Sequence, residues 1–413
     1  MTRRVATFLE ILKISPWIAE HVQELHLWVS NTEDETYGED LGFLRVMSLL
    51  TEARSGSGLQ RLTLRGAYYG LAFKDSLALV ENLLRPYISP FITSLCITRL
   101  KNIPIAFVAE CTHLETLALH DLSSTMDKEL SLSNPPNARP PSVKTLEVIN
   151  SDQFLKALLA GQGSGCAPCI DSSQLRRITL TPTSRGDFQE SVQALISGAG
   201  DSLEEMKFTP KHGYCDDLVY VPLRNLFDFS NSAGLKNLTI DVKVGSPEEV
   251  DPIAGLVTIL KTIPTNNRVA RMKFRLYLGF HTVYHPDRCL ELNWRSFDLE
   301  IARISSGRPL RLQLEVWYQE FIREEQTEEQ TEDSEEEDGQ APAVPSSDEN
   351  LGALRAELEE RCDVAFQKVV QEGLSLISGE PSVTIEVNSR IVEPCDYCRT
   401  YGVFPSPYDN DEV

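Results

Sequence analysis

The chain has 413 residues, 41% of them apolar and 24% charged, which marks a folding polypeptide and excludes wholesale disorder, a collagen-like chain and a coiled coil. Its 61 Asp and Glu outweigh 39 Lys and Arg, and the resulting charge of −22 repels phosphate backbones and anionic lipid, which excludes nucleic acid and membrane surfaces as partners. Nine scattered cysteines, no apolar leader behind the opening Met-Thr-Arg-Arg, and no apolar run of about 18 residues predict a soluble protein of the cytosol or nucleus.

Residues 1–21 read as a helical lead-in. From Val22 onward one phrase recurs: an apolar residue, two others, then apolar, other, apolar. It is Val22-Gln-Glu-Leu25-His-Leu27, then Leu59-Gln-Arg-Leu62-Thr-Leu64, Ile92-Thr-Ser-Leu95-Cys-Ile97, Leu114-Glu-Thr-Leu117-Ala-Leu119 and Val143-Lys-Thr-Leu146-Glu-Val148. It continues as Leu175-Arg-Arg-Ile178-Thr-Leu180, Leu203-Glu-Glu-Met206-Lys-Phe208, Leu235-Lys-Asn-Leu238-Thr-Ile240, Val269-Ala-Arg-Met272-Lys-Phe274 and a degenerate Pro309-Leu-Arg-Leu312-Gln-Leu314. The copies start 22 to 40 residues apart. Alternation over the fourth to sixth positions predicts a short strand with one buried face.

Between the phrases, apolar residues at helical spacing predict helices: Phe73, Leu77, Val80 and Leu84; Phe154, Leu155, Leu158 and Leu159; Phe188, Val192, Leu195 and Ile196; Ile253, Leu256, Val257 and Leu260. Asp152, Asp187 and Asp251 are their candidate caps, the last ahead of Pro252 at the first helical position. A lone strand and helix cannot bury the strand's apolar face, so the units must stack. The expectation is an α/β, leucine-rich-repeat-like right-handed solenoid over residues 22–320, with a curved parallel sheet on the concave side and helices outside. The competing architecture is a doubly wound sheet, whose strands are usually apolar on both faces. Here the fifth and seventh positions are mostly polar.

The segment Glu324–Asp338 holds ten acidic residues and no basic one; residues 321–350 are expected to be a disordered loop, with Ser334 ahead of three glutamates as a candidate acidophilic phosphosite. Leu351, Leu354, Leu358, Cys362, Ala365, Phe366 and Val369 share a helical face, and Ser382-Val-Thr-Ile385-Glu-Val387 reads as a strand. Residues 351–413 are therefore expected to cap the repeats.

The phrase resembles leucine-rich repeats, and its irregular spacing resembles the divergent repeats of fungal, mushroom-type F-box proteins. Phe8 to Leu27, with its Ser15-Pro16 turn, is similar to the helix, turn and first strand that follow the F-box there. Leu175 to Pro182, Asp201 to Met206 and Thr262 to Pro264 resemble repeat segments of the same family. The resemblance covers roughly residues 8–320 and implies the substrate-recognition half of a cullin ubiquitin-ligase receptor. Two features depart from the family. The ninth phrase position holds no asparagine, so no asparagine ladder is expected. The F-box is not in the chain, so an adaptor of the ligase is implied only if an F-box lies upstream, and a repeat-only relative is the other form. A repeat-type GTPase activator, or a scaffold without ligase link, is the alternative from another class.

Catalytic chemistry finds little footing. There is no Gly-x-Ser-x-Gly elbow, no phosphate-cradling glycine loop and no Cys and His pairing, so neither enzyme nor cofactor is expected. Cys166 with Cys169 and Cys395 with Cys398 have the spacing of metal knuckles, the second with His281, His285 and Cys289 as remote candidates. Free thiols are favoured over a metal.

What remains is the polar face of the sheet, formed by the fifth and seventh phrase positions. These carry Arg65, Lys207, Lys273 and Arg275 against Glu147, Asp241 and Glu315, a relatively basic surface in an acidic chain. The candidate binding residues are His26, Trp28, Arg65, His120, Arg177, Lys207, Lys273 and Arg275. The cations would take an acidic or phosphorylated protein segment, with Trp28 as an aromatic anchor. The chain's own residues 324–338 are a candidate pseudo-ligand.

Overall fold

A computed structural model describes residues 3–29, 40–52, 59–66, 71–72, 80–101, 103–122, 139–160, 168–182, 188–210, 223, 226–244, 251–279, 292–319, 356, 360–361 and 363–392. The strands are β1 (Glu24–Val29), β2 (Arg61–Gly66), β3 (Leu71–Ala72), β4 (Ser94–Thr98), β5 (Leu100–Lys101), β6 (Thr116–His120), β7 (Thr145–Ile149), β8 (Arg177–Thr181), β9 (Glu205–Phe208), β10 (Asn237–Val244), β11 (Arg271–Gly279), β12 (Leu310–Gln319) and β13 (Val383–Val392). The fold is α/β. Eleven strands form one parallel sheet in the order β1-β2-β4-β6-β7-β8-β9-β10-β11-β12-β13, and β3 pairs with β5 apart from it. The order never reverses, whereas a doubly wound sheet reverses at its switch point. Helices Asp152–Ala160, Phe188–Ala199 and Pro252–Thr262 fall on intervals where the periodicity predicts them. Asp251 acts as foreseen, accepting from the N–H of Ile253 at 2.8 Å ahead of Pro252.

The chain divides into two compact units. One comprises residues 1–213, 225–239 and 262–269, the other residues 214–224, 240–261 and 270–413.

In the first unit the lead-in forms helices Arg3–Ile14 and Ile18–His21 before β1. Phrase positions one, four and six form its core: Leu59, Leu62, Leu64, Ile92, Leu95, Ile97, Leu114, Leu117, Leu119, Val143, Leu146 and Val148 are each no more than 1% exposed. The odd positions of β4, β6 and β7 stay half-buried, giving the two faces their alternation. Phe188, from the helix Phe188–Ala199, stacks beside Phe208 of β9 at 6.3 Å, so the helix covers the apolar face.

A second regularity lies in the backbone. The carbonyl of each second phrase position accepts two N–H groups from the next copy: Gln23 from Gln60 and Arg61, Gln60 from Thr93 and Ser94, Thr93 from Glu115 and Thr116, and so on to Glu204 from Lys236 and Asn237, all at 2.8 to 3.1 Å. These bonds satisfy the strand-leading amides, which would otherwise be orphaned. At the other end of the strands, Arg99, Asp121 and Asn150 each adopt a left-handed backbone, φ 56°, 53° and 50°. All three sit at the eighth phrase position and end β4, β6 and β7. Asn150 Nδ2 donates to Asp121 Oδ1 at 2.8 Å. Ser151, fully buried at the ninth position, accepts from the N–H of Leu122 at 3.0 Å and donates to the carbonyl of Ile149 at 2.8 Å. In place of an asparagine ladder, this stretch uses Asp121, Asn150 and Ser151 to join neighbouring copies.

In the second unit β11 to β13 run nine to ten residues, against four to six in β1, β2, β4 and β6–β9. In β11 and β12 the eighth position is apolar: Leu276 and Val316 continue the buried row. The helix Trp294–Ser305 places Phe297 against Phe274 of β11 at 5.3 Å, and Trp294 against Phe366 at 6.1 Å. Asp298 of that helix is buried and accepts from the N–H groups of Leu376 and Ile377 at 2.8 and 3.1 Å, fastening the turn Ser375–Ser378. β13 pairs along β12 from Val383 to Val392, so the predicted C-terminal strand joins the sheet.

Candidate functional site

The half-buried odd positions of the first unit make two rows across its strands. The seventh positions align as Trp28, Arg65, Thr98, His120, Ile149 and Thr181. The fifth align as His26, Thr63, Cys96, Ala118, Glu147, Thr179 and Lys207. Most of these side chains are small and uncharged, and on the strands adjoining Arg65 neither row carries a carboxylate.

Arg65 lies with its guanidinium carbon 4.7 Å from the centroid of the Trp28 ring. Trp28 is 51% exposed, while Arg65 Nε is buried and has no hydrogen-bond acceptor. Two strands from Arg65, His120 Nε2 on β6 lies 3.7 Å from Glu147 Oε1 on β7. His120 holds the Glu147 carboxyl below the usual carboxylate range, with Lys207 adding to the pull and partial burial opposing it. Lys207 is exposed on β9. Cys96 Sγ sits 3.6 Å from Thr98 Oγ1, and burial pushes its thiol pKa up. His26 lies 3.2 Å from Glu24, and Arg177, on the same side of β8 as Thr179, lies 3.6 Å from Glu205.

Lys273 and Arg275 belong to the second unit, and there the arrangement differs. Glu315 of β12 accepts from Lys273 Nζ and from Arg275 Nε, both at 2.7 Å. Arg275 Nη1 donates to Asp241 of β10 at 2.9 Å, and Asp241 is fully buried. Trp317 covers Arg275 at 5.1 Å, with Tyr277 beside it at 4.9 Å. These cations are neutralised from within the sheet by carboxylates one strand away. The arrangement is visible in the sequence once register is considered: Asp241, Arg275 and Glu315 occupy the seventh position of three successive phrases, and opposite charges directly across neighbouring strands attract. Summing charge over the face without pairing it by strand hides this.

The candidate residues therefore separate. Trp28, Arg65, His120 and Lys207 share the open face of the first unit, with His26 and Arg177 held at its margins by glutamates. Lys273 and Arg275 are committed to a structural network. Ser334, residues 321–350, Cys166, His281, His285, Cys289, Cys395 and Cys398 lie outside the described residues. Cys169 is buried and its N–H donates to the Leu158 carbonyl at 2.8 Å. Among the described residues no group of three or more His, Cys, Asp or Glu side chains comes together to hold a metal ion. No helix among them is long and apolar enough to cross a membrane. The chain matches no family model, and no curated protein matches it.

Proposed function

We propose that the repeated strands and helices form a leucine-rich-repeat-like right-handed solenoid, and that the chain is a non-catalytic protein-binding module. In this reading it is the substrate-recognition repeat region of an F-box-type ubiquitin-ligase receptor, or a repeat-only relative of one. The observation that carries it is the open sheet face of the first unit, where polar rows are presented and where, among the described residues, Arg65 is held without a carboxylate. A protein that needed this face only for folding would pair Arg65 across the strands, as it pairs Arg275. The sequence resemblance to divergent F-box repeats supports the ligase connection and the stacked-unit logic supports the solenoid.

Affinity capture of the tagged chain from its own host cells, run beside an Arg65→Glu/Lys207→Glu variant, tests the reading. Proteins retained by the wild type and released by the variant are the expected result, and the ligase adaptor among them supports the receptor form. An identical set from both chains overturns the assignment of this face. Lys273 is left unchanged, because its replacement would disturb the second unit.

A further inference from the structure

We infer that Trp28 and Arg65 form a seat for one carboxylate side chain, an Asp or Glu of a partner's extended segment. This deepens the binding-module reading and rests on it. Arg65 stands in register between Trp28 on β1 and Thr98 on β4. Other strand arginines have carboxylates at hand: Arg61 meets Glu24, Arg177 meets Glu205, Arg275 meets Glu315 and Asp241, and Arg311 meets Glu386. Among the described residues Arg65 has none, and its Nε–H is buried without an acceptor. A buried donor left unmade is a cost to the fold, and such costs persist where they serve a ligand.

The geometry also selects the chemistry. The Trp28 ring lies against one side of the guanidinium, 4.7 Å from its carbon, and a guanidinium held this way recognises a ligand through its planar fork of N–H groups. A planar carboxylate matches that fork with two parallel hydrogen bonds. A phosphate dianion is recognised by clustered cations, and none stands on the adjoining strands here: the neighbours on the fifth and seventh positions are His26, Trp28, Thr63, Cys96 and Thr98. Among the described residues the face offers no competing acid near the seat. Glu147 is three strands away, about 14 Å at the usual strand spacing, and Glu24 is occupied by Arg61 and His26. The exposed Trp28 ring beside the seat favours an apolar side chain next to the ligand's acid.

The test uses the full chain and pools of random 12-residue peptides whose central position is fixed as Glu, Gln or phosphoserine. Retention of the Glu pool about tenfold over the Gln pool is expected, a preference that Arg65→Gln abolishes and Trp28→Leu weakens several-fold. Lys144→Gln, which removes the same charge from an exposed lysine already paired with Glu115, leaves it unchanged. The bound Glu pool should also slow N-ethylmaleimide modification of Cys96, which sits one strand from the seat. A preference that survives Arg65→Gln, falls equally in Lys144→Gln, or is exceeded tenfold by the phosphoserine pool overturns the carboxylate seat while the binding module stands. Failure of the wild type to retain any pool above background overturns both.

Discussion

Replacing Glu315 by Gln keeps the shape of the side chain and removes only its charge, which makes it the cleanest probe of the second unit's network. Glu315 is 12% exposed, and the cations it serves, Lys273 and Arg275, are 25% and 22% exposed. Breaking a fully buried pair from one side costs about 3–5 kcal/mol, and breaking an exposed pair about 0–1 kcal/mol. Because Arg275 keeps Asp241 and Lys273 can turn toward water, the expected loss lies between these, about 2–3 kcal/mol. With a urea slope of about 2–3 kcal/mol/M, the midpoint of this unit falls by about 1 M. In a Trp17→Phe/Trp28→Phe background the emission comes from Trp294 and Trp317, both in the second unit. The pH dependence gives an independent sign. Burial pushes the Glu315 carboxyl up, but hydrogen bonds and charge from Lys273 and Arg275 outweigh it and leave the group below its ordinary value. A carboxylate lowered on folding contributes its full stability above the unfolded value, about 4.3, and loses it as pH falls through the folded one. The gap between wild type and Glu315→Gln is therefore constant near neutrality and narrows below about pH 4. A midpoint shift under about 0.3 M, or a gap that widens on acidification, would refute the claim that the network is internal.

Gly66→Ala should destabilise the first unit by about 1–3 kcal/mol, since a Cβ there would lie 2.3 Å from the carbonyl oxygen of Arg99 and backbone must move; thermal melting followed by circular dichroism reads it, and a neutral result refutes the close approach. Asn150→Gly keeps the left-handed backbone and loses only the bond to Asp121, whereas Asn150→Ala loses both. The alanine variant should be less stable than the glycine variant by about 1 kcal/mol, and the reverse order would refute the left-handed backbone at this position. Burial pushes the Cys111 thiol up to about 12, so in native protein at pH 8 N-ethylmaleimide should label Cys96 before Cys111. Peptide mass spectrometry over a time course gives the order, and simultaneous labelling contradicts the packing.

The parts of the fold that follow from hydrophobic periodicity are legible in the sequence. The buried first, fourth and sixth positions recur because each copy faces the same problem of covering one apolar strand face. Helix Leu41–Glu52 and helix Trp294–Ser305 escape the periodic search even though Trp294, Phe297, Ile301 and Ile304 are all fully or nearly fully buried and Asn293 caps the second by accepting from the Ser296 N–H at 3.3 Å. They lie in long intervals where the phrase, not the helix, governs the reading. Helix Ile105–Glu110 is six residues long, too short for a helical period to register. The strand ends are harder still. Asn150 and Asp121 are residue types that tolerate a left-handed backbone, but Arg99 is not, and only the register shared by all three reveals the turn. For the site, residue type and strand parity suffice to place Trp28 and Arg65 on the open face, while the fate of Lys273 and Arg275 depends on which carboxylates stand one strand away.

The two stretches of polar face answer different demands, and a matched pair of substitutions separates them. Arg275 is enclosed by acids, and Arg275→Met removes the guanidinium that Asp241, wholly buried, and Glu315 share, so the expected loss is about 3 kcal/mol. Arg65 contributes a stack on Trp28 but leaves a donor unsatisfied, and the two effects oppose. A cation stacked at an exposed ring gains about 0.5–1 kcal/mol, and a buried donor without an acceptor costs about 1–3 kcal/mol. Methionine keeps apolar contact with the ring and removes the donor. Arg65→Met is therefore expected to leave stability unchanged or raise it by about 1 kcal/mol, while abolishing recognition of the acidic peptide pool. That combination, a side chain expendable for folding and required for binding, is what a site maintained against stability looks like. If Arg65→Met instead costs more than about 1.5 kcal/mol, the arginine is a structural element of the β1–β2 edge and the open face has lost its strongest claim to a ligand.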